Sequence, residues 1–303
     1  MPKPIQAVIN MGSGAGSADE ECEAIKEQFA AAGLSAEFYF AEDGEDIVRM
    51  AEQSVKSGSE IIVAGGGDGT VSAVATEVYK AGKTLAVVPL GTLNNFSKDL
   101  GVEQDVEKAL TTIAAGNTEE VDLAEVNGRI FINNSSIGLY PQIVRKREQQ
   151  QERLGRGKWW AAAWATLRMF WVSRFLKVRI EIDGKTFLRK TPFVFVGNNP
   201  YEMDLYNIGR REALDTGKLS IYFLHRGGRW GVIMLLVHTL TGRVKQWRDF
   251  EEVLAESVTI QSRRRRLQVA FDGEVDVMET PLEYRILPKA LKVIVPVNEE
   301  TDA

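Results

Sequence analysis

The feature that most constrains the fold is a glycine-rich break between an apolar run and a helical pattern at residues 61–70. The sequence IIVAGGGDGT joins a short β-branched run to three glycines, an aspartate, a glycine and a threonine. Residues 71–80 then carry apolar side chains at helical spacing, so the segment predicts a strand, a turn and a helix. Glycines let backbone N–H groups approach an anion, and a helix N-terminus adds a favourable dipole. A plain strand–helix turn would carry the same glycines, so this motif alone leaves phosphate binding open.

Asp68 is unexpected in a turn whose ligand is only a phosphate, because like charges repel. A carboxylate at this position is suited to handling a metal ion, a hydroxyl group or a proton. We therefore predict a catalytic role for Asp68. The neighbours predicted to bind the nucleotide are Gly65, Gly66, Gly67, Gly69 and Thr70.

Two further turns have the same character. Residues 87–97 read VVPLGTLNNFS, again a strand followed by a polar turn, and residues 5–10 form a strand before the glycine-rich residues 11–17. Adjacent parallel strands end at one edge of a sheet, so these turns should face one crevice. The residues predicted there are Asn10, Ser13, Gly14, Gly91, Thr92 and Asn94.

GGGDGT followed by PLGTLNNFS resembles the diacylglycerol kinase catalytic-domain family, which includes bacterial lipid kinases and sphingosine kinases. NAD kinases are more distant relatives. The sequence Phe271-Asp272-Gly273-Glu274 fits the same family. The resemblance implies ATP and Mg²⁺ as cofactors, Asp68 at the nucleotide and metal, and Glu274 as general base. We expect the Asp272-Gly273 turn to project Glu274 towards a cleft opposite Asp68. The alternative is an ordinary turn after a strand, with Glu274 as an exposed residue beside it.

The chain also departs from the family pattern. Ser72-Ala73 stands where an Asn-Glu pair is common, and Asn95 stands where an aspartate is common. In the resembled bacterial lipid kinases a later loop often reads Asp-Asp-Gly-Leu and forms a metal site with backbone carbonyls. Asp215 and Gly217 match that loop while Thr216 replaces the second acid. The resemblance therefore implies Asp215 as a metal ligand, and an ordinary loop before a strand is the alternative.

The pattern of elements changes near residue 122. Before it, strands alternate with helices, which predicts βαβ units around a parallel sheet. After it, many short strands separated by turns predict a β-rich domain. We predict an α/β three-layer nucleotide-binding domain at residues 1–122 and a β-sandwich lipid-substrate domain with a helical insertion at 123–287. The resemblance implies that residues 288–303 return to the first domain.

Composition and net charge limit the classes of partner that the protein is expected to bind. The 303 residues carry a net charge of −5, which does not favour nucleic-acid binding. Cys22 is the single cysteine, and the sequence has no apolar run long enough to span a bilayer. We therefore expect a cytoplasmic protein, allowing for peripheral contact at the inner membrane and for a homodimer. The candidates for membrane contact are the tryptophan-rich residues 159–172, whose alternative is a core helix, and the four arginines at 263–266.

These observations predict ATP-dependent phosphorylation of a hydroxyl group on a diacylglycerol-like lipid. NAD kinase is one alternative, since it shares the glycine–aspartate motif, but Ser72-Ala73 and the apolar residues 159–172 favour a lipid. A catalytically weak regulator that binds nucleotide or lipid is another alternative, motivated by the departures at residues 72–73, 95 and 216.

Overall fold

The computed structural model describes residues 4–11, 18–138, 175–202, 210–211, 213–224 and 250–297. Ser13, Gly14 and the segment 159–172 lie outside these ranges, as does the predicted helical insertion. The chain divides into two compact units. The first contains residues 1–123, 213–215 and 287–303, and the second contains residues 124–212 and 216–286. None of the helices in the described ranges is long and apolar enough to cross a bilayer.

The first unit is built on parallel strands that alternate with helices along the chain. Four strands lie in the order β2-β1-β3-β4, and every adjacent pair is parallel. This order follows from apolar runs separated by amphipathic helices, as the sequence pattern predicts. The strands are β1 (Ile5–Asn10), β2 (Ala36–Ala41), β3 (Ile61–Gly66) and β4 (Thr84–Pro89), and the helices are α1 (Ala18–Ala31), α2 (Gly44–Ser54), α3 (Asp68–Lys80), α4 (Asn95–Asp99) and α5 (Val106–Ala115).

Helices cover both faces of this sheet. On one face, Phe29 of α1 and Leu110 of α5 pack against Ala7, Val63 and other inward residues of the strands. On the other face, α2 contacts β1 and α3 contacts β3 and β4. The strands are buried on both faces, which explains their continuous apolar sequences. The three-layer arrangement predicted for this part of the chain is therefore present.

A long C-terminal strand completes the first unit. Strand β16 (Leu282–Ile294) contributes its second half, and Lys292 and Val293 pair in parallel with Thr84 and Leu85 of β4. Pro288 lies within β16. The structure has one continuous strand, with the left-handed residue Lys289 within it (φ 49°). The Lys289 N–H donates to the Asp122 carboxylate at 2.8 Å.

The second unit is an antiparallel β-sandwich. One sheet has the order β16-β13-β8-β9, with β5 beside β16 and β6 beside β5, and the other has the order β12-β11-β10-β7-β14-β15. Apolar side chains from both sheets, including Ile137, Val194, Ile180 and Ile260, form one buried core. The α/β-plus-sandwich fold class is confirmed. The strands are β5 (Thr118–Val126), β6 (Arg129–Phe131), β7 (Asn134–Gly138), β8 (Leu176–Ile182), β9 (Lys185–Thr191), β10 (Phe193–Asn198), β11 (Leu219–Leu224), β12 (Phe250–Ala255), β13 (Ser257–Ser262), β14 (Arg266–Phe271) and β15 (Glu274–Glu279).

Candidate active site

The ends of β3 and β4 bring two glycine turns into contact. Gly66 lies opposite Pro89 in the parallel register, so residues 67–70 and 91–94 emerge side by side. A Cβ atom on Gly91 would overlap the Gly67 Cα and would lie 2.6 Å from the Asn94 Oδ1. The two turns therefore pack backbone to backbone, which only glycine permits here.

The glycines of the first turn serve different purposes. A Cβ on Gly65 would collide with the Ile9 side chain, and one on Gly66 would lie 2.5 Å from the Thr70 Oγ1. Packing alone therefore accounts for these two glycines. Gly69 is exposed, and in the described part of the chain no atom outside its chain neighbours and its own helix backbone lies within 4 Å of the position of a Cβ. Gly69 lies in the first turn of α3, where backbone N–H groups have no intrahelical acceptor, so a ligand phosphate can approach it closely.

The different surroundings of Gly91 and Gly69 predict different effects of alanine substitution on the free energy of unfolding. Gly91→Ala should lower the free energy of unfolding by about 1–3 kcal/mol, because the added methyl group has no space. Gly69→Ala is the matched control in the same site, and it should be neutral or raise stability by up to about 1 kcal/mol, since alanine favours the helix. Urea unfolding of both variants measures the two effects. Equal stability of Gly91→Ala and wild type would contradict the close packing of the two turns.

The end of β1 contributes Asn10 to the same edge. The Asn10 Nδ2 donates to the Thr70 Oγ1 at 3.1 Å, so two residues predicted to bind the nucleotide lie in contact although they are far apart in sequence. Thr70 is buried. The predicted edge thus combines residues from three strand ends.

Asp68 begins helix α3 rather than lying in the turn, since Gly67 is the helix N-cap. Its carboxylate accepts hydrogen bonds from the Asn95 N–H at 3.1 Å, the Asn95 Nδ2 at 3.2 Å and the Phe96 N–H at 3.1 Å. Asp68 therefore caps the first turn of α4, a role that its sequence context did not indicate. A carboxylate has about four lone-pair positions, so three such bonds still leave a place for a hard cation or a donor.

Asn94 lies just before α4 in the left-handed conformation (φ 50°). Its Nδ2 donates to the Gly91 carbonyl at 2.8 Å and to the Gln104 Oε1 at 3.1 Å, which fixes the orientation of the amide. The Asn94 Oδ1 is buried and has no hydrogen-bond partner among the residues that the structure describes. A buried acceptor of this kind is costly unless a ligand or water donates to it. Gln104 was not predicted as a partner of Asn94, and its closeness in sequence, ten residues away, is the only local signal for this contact.

In the second unit, Glu274 begins β15 directly after the Asp272-Gly273 turn. The Glu274 Oε2 lies 3.0 Å from the Arg129 Nη2, and the Asp276 Oδ2 lies 3.7 Å from the Arg129 Nη1. The guanidinium of Arg129 stacks on the Phe271 ring at 4.4 Å from its centroid. The Glu274 side chain remains 60% exposed, so its carboxylate is accessible to a substrate.

Hydrogen bonds to the Asp272 side chain hold the turn that carries Glu274. The Asp272 carboxylate accepts hydrogen bonds from the backbone N–H groups of Ile132, Asn133 and Asn134 at 2.8, 2.8 and 3.1 Å. The buried Arg211 approaches the same segment from its other side, donating to the Ile132 carbonyl and to the Asn133 Oδ1, each at 2.7 Å. Glu274 therefore projects from a rigid support. Arg211 was not predicted as a supporting residue.

Comparison with known proteins identifies the family. The diacylglycerol kinase catalytic domain family matches residues 4–126, and the YegS C-terminal NAD kinase beta sandwich-like domain family matches residues 136–295, more than half of the chain. The chain belongs to the diacylglycerol kinase family. The family membership predicted from the two glycine motifs is confirmed.

Relatives of this family cover nearly the whole chain. An uncharacterized protein from Synechocystis sp. is 28% identical over 96% of this chain and 70% of its own length. A diacylglycerol kinase from Staphylococcus aureus is 25% identical over 99% of this chain and 96% of its own length. The crystal structure of a diacylglycerol kinase from Bacillus anthracis superposes with a TM-score of 0.73 at 24% identity, covering 96% of both chains. At 24% identity, this structural similarity shows that the two chains share a fold.

The loop for which the diacylglycerol kinase resemblance implied a metal is described at residues 213–217. Asp215 is exposed, while Thr216 donates its N–H at 2.9 Å and its hydroxyl at 2.5 Å to the Asn199 Oδ1. Within the described ranges, no group of three or more His, Cys, Asp or Glu side chains could hold a metal ion. Metal binding by Asp215 stays a prediction, and the chemistry proposed below does not depend on it.

Proposed function

We propose that this protein is a lipid kinase that transfers the γ-phosphoryl group of ATP to a hydroxyl group of a diacylglycerol-like lipid. The kinase class rests on membership of the diacylglycerol kinase family. The observation that carries the proposal is the shared edge of β1, β3 and β4, where two glycine turns lie in contact beside Asn10, Thr70 and the unpartnered Asn94 Oδ1. This edge has backbone N–H donors and a buried acceptor of the kind that bind a nucleotide.

The nucleotide is proposed to lie against the first turn of α3. Backbone N–H groups around Gly67 and Gly69 would donate to phosphate oxygens, and the dipole of this helix favours the negative charge. Hydroxyl and amide groups would bind phosphate, ribose or base. The residues proposed for this are Asn10, Ser13, Gly14, Thr70, Thr92 and Asn94.

Mg²⁺ would enter with the phosphates of ATP and reduce their negative charge. Asp68 is the residue proposed to hold it, since its carboxylate retains a free lone pair beside the nucleotide edge. Through its hydrogen bonds with Asn95 and Phe96, Asp68 also joins the start of α3 to the start of α4.

Glu274 is proposed as the general base. The lipid hydroxyl oxygen forms a bond to the γ-phosphorus while the bond from that phosphorus to the β–γ bridging oxygen breaks. The hydroxyl proton passes to the Glu274 carboxylate, and the products are the phosphorylated lipid and ADP. A base is needed because a hydroxyl group that keeps its proton is a poor nucleophile. The ion pair with Arg129 is exposed, so a substrate can displace it at small cost.

A lipid-acceptor screen with labelled ATP tests the proposal. Purified protein should transfer label to extracted lipid and should not transfer it to NAD. Transfer to NAD alone would favour the NAD kinase alternative. Tight binding of nucleotide without transfer to any acceptor would favour a regulatory protein.

One observation favours the regulatory alternative. The Asp68 carboxylate is engaged by three N–H donors, two of them from Asn95, which stands where an aspartate is common in the family. This replacement removes one negative charge from the place where a cation would bind. The label-transfer screen separates a weak kinase from an inactive binder, because only the kinase forms labelled lipid.

A further inference from the structure

The outer face of the sheet β13-β8-β9 in the second unit concentrates positive charge. Inward side chains of β8, such as Val178 and Ile180, are buried in the sandwich core, so Lys177 and Arg179 point outward. On β9, Leu188 lies opposite Arg179, and Lys190 lies opposite Lys177. We call Lys177, Arg179, Leu188, Lys190, Arg263 and Arg264 the basic face.

Two cations of the basic face lie directly opposite each other on neighbouring strands. Lys177 and Lys190 are direct cross-strand partners, and both are exposed. Ser262 ends β13, and the exposed Arg263 and Arg264 follow it in the bend that leads to β14. Like charges directly opposite each other destabilise a sheet, and the contact of the Lys190 Nζ with the Phe175 ring, 5.9 Å from its centroid, offsets this only weakly. The lysine pair is therefore a candidate for binding an external anion.

The bend that carries Arg263 and Arg264 is held in place. Thr280 donates its hydroxyl to the Arg264 carbonyl at 2.9 Å, and its N–H donates to the Arg265 carbonyl at 2.9 Å. Glu279 forms ion pairs with Arg265 and Arg266. On the strands, Glu181 pairs with Arg179 at 2.7 Å. Lys177, Lys190 and Arg263 add further positive charge to the cations that these acids pair with.

An apolar side chain lies among these cations. Leu188 is 73% exposed, the highest exposure given for any large apolar side chain in the described ranges. An exposed leucine between cations suits a surface that is anionic at the headgroups and apolar just below them. The chain as a whole carries a net charge of −5, so the basic face is a local exception rather than a general property.

We propose that the basic face docks the second unit on an anionic lipid bilayer. Cations would attract the acidic headgroups, and Leu188 would enter the boundary between headgroups and acyl chains. The biological reason for this docking rests on the proposed function, since a kinase whose acceptor lipid resides in a bilayer must reach the bilayer surface. The binding itself is independent of catalysis.

Sedimentation of the full chain with vesicles tests the docking without ATP or acceptor lipid. Wild type should bind vesicles of phosphatidylcholine with phosphatidylserine far better than phosphatidylcholine alone, and added salt should weaken the binding. Each cation removed costs about fivefold in partitioning, so the charge reversal Lys190→Glu should cost about 25-fold. Lys56→Glu makes the same charge change at an exposed site of the first unit and should stay within about twofold of wild type.

A second measurement separates docking from damage to the fold. Lys190→Glu removes the contact with the Phe175 ring but places an acid opposite Lys177, so the melting temperature should stay within about 2 °C of wild type. The same variant should still phosphorylate a lipid acceptor dispersed in neutral detergent. If no chain phosphorylates that acceptor, the proposed function fails while the vesicle result still decides the docking.

Three outcomes would overturn the docking inference. Lys190→Glu could bind anionic vesicles as tightly as wild type, or wild type could bind neutral and anionic vesicles equally. Wild type could also bind duplex DNA under conditions in which it leaves anionic vesicles, which would assign the basic face to nucleic acid.

Discussion

Replacing Glu274 with glutamine is expected to lower kcat by about 10²–10⁴-fold, the range that a general base contributes. Glutamine keeps the size of the side chain and an oxygen that can accept from Arg129, but it cannot take a proton from the lipid hydroxyl. The affinity for ATP should change little. Steady-state kinetics with label transfer to lipid, together with nucleotide binding by titration, measures both quantities.

Asp276→Asn is the matched control for this variant. Asp276 lies two residues further along β15, faces the same Arg129 and has a side-chain exposure of 54%, against 60% for Glu274. Both substitutions remove one charge from the same exposed ion-pair group, which contributes at most about 1 kcal/mol to stability. If kcat falls only in Glu274→Gln, loss of the base is the cause. An equal fall in Asp276→Asn would assign the effect to the charge around Arg129.

An unchanged kcat in Glu274→Gln would remove Glu274 from the mechanism. Asp272 would not then be the natural substitute, because its carboxylate accepts three backbone N–H groups of residues 132–134. Asp272→Asn should instead reduce stability, since the amide nitrogen would oppose one of those donors.

Asp68→Asn is expected to lower turnover by about 10²–10³-fold, as removal of an electrostatic stabiliser does in other enzymes. The variant also loses part of the cap on α4. An asparagine amide accepts through one atom only, so its Nδ2 would oppose an N–H of Asn95 or Phe96. We expect a loss of about 1–2 kcal/mol in the free energy of unfolding. Near-wild-type turnover would reject a catalytic or metal-binding role for Asp68.

Two further variants separate charge from capping at Asp68. Asn95→Ala removes the Nδ2 donor at 3.2 Å while the charge of Asp68 remains, so stability should fall and most of the turnover should persist. Asp105→Asn changes an ordinary helix cap, which accepts from the Lys108 N–H at 3.1 Å, and should affect neither quantity, because asparagine caps as well as aspartate. If Asn95→Ala is as inactive as Asp68→Asn, the position of α4 rather than charge controls turnover.

The local part of the fold was predictable because the signals were local. Apolar runs followed by glycine-rich turns predicted β1 and β3, and the Asn127-Gly128 sequence is typical of a hairpin turn, which it forms with positive φ at both residues (48° and 81°). Asp105 is the N-cap of α5, a residue type that is favoured at the start of a helix. Helix α4 was missed, because five residues give too short a periodic signal.

The contacts of the candidate site were less predictable, because they join distant parts of the chain. Arg129 and Glu274 are separated by 145 residues, and Asp68 and Asn95 are separated by 27. Sequence motifs named the carboxylates but not their partners, since a hydrogen-bond donor in a strand or turn has no local pattern. Gly65 and Gly66 show the same limit, because the motif did not reveal their close packing against Ile9 and Thr70, while their contact with phosphate stays a prediction.

The membership of β16 in both units has a consequence for synthesis on the ribosome. The second half of this strand pairs with β4, about 200 residues earlier in the chain, so the parallel sheet of the first unit stays incomplete until translation is almost finished. The edge of β4 meanwhile has unpaired backbone groups in the nascent chain. The amino-terminal unit thus cannot finish folding first, although domains commonly fold in the order of their synthesis. A fragment cut after residue 126 would lack the same strand, which makes it a poor substitute for the whole chain.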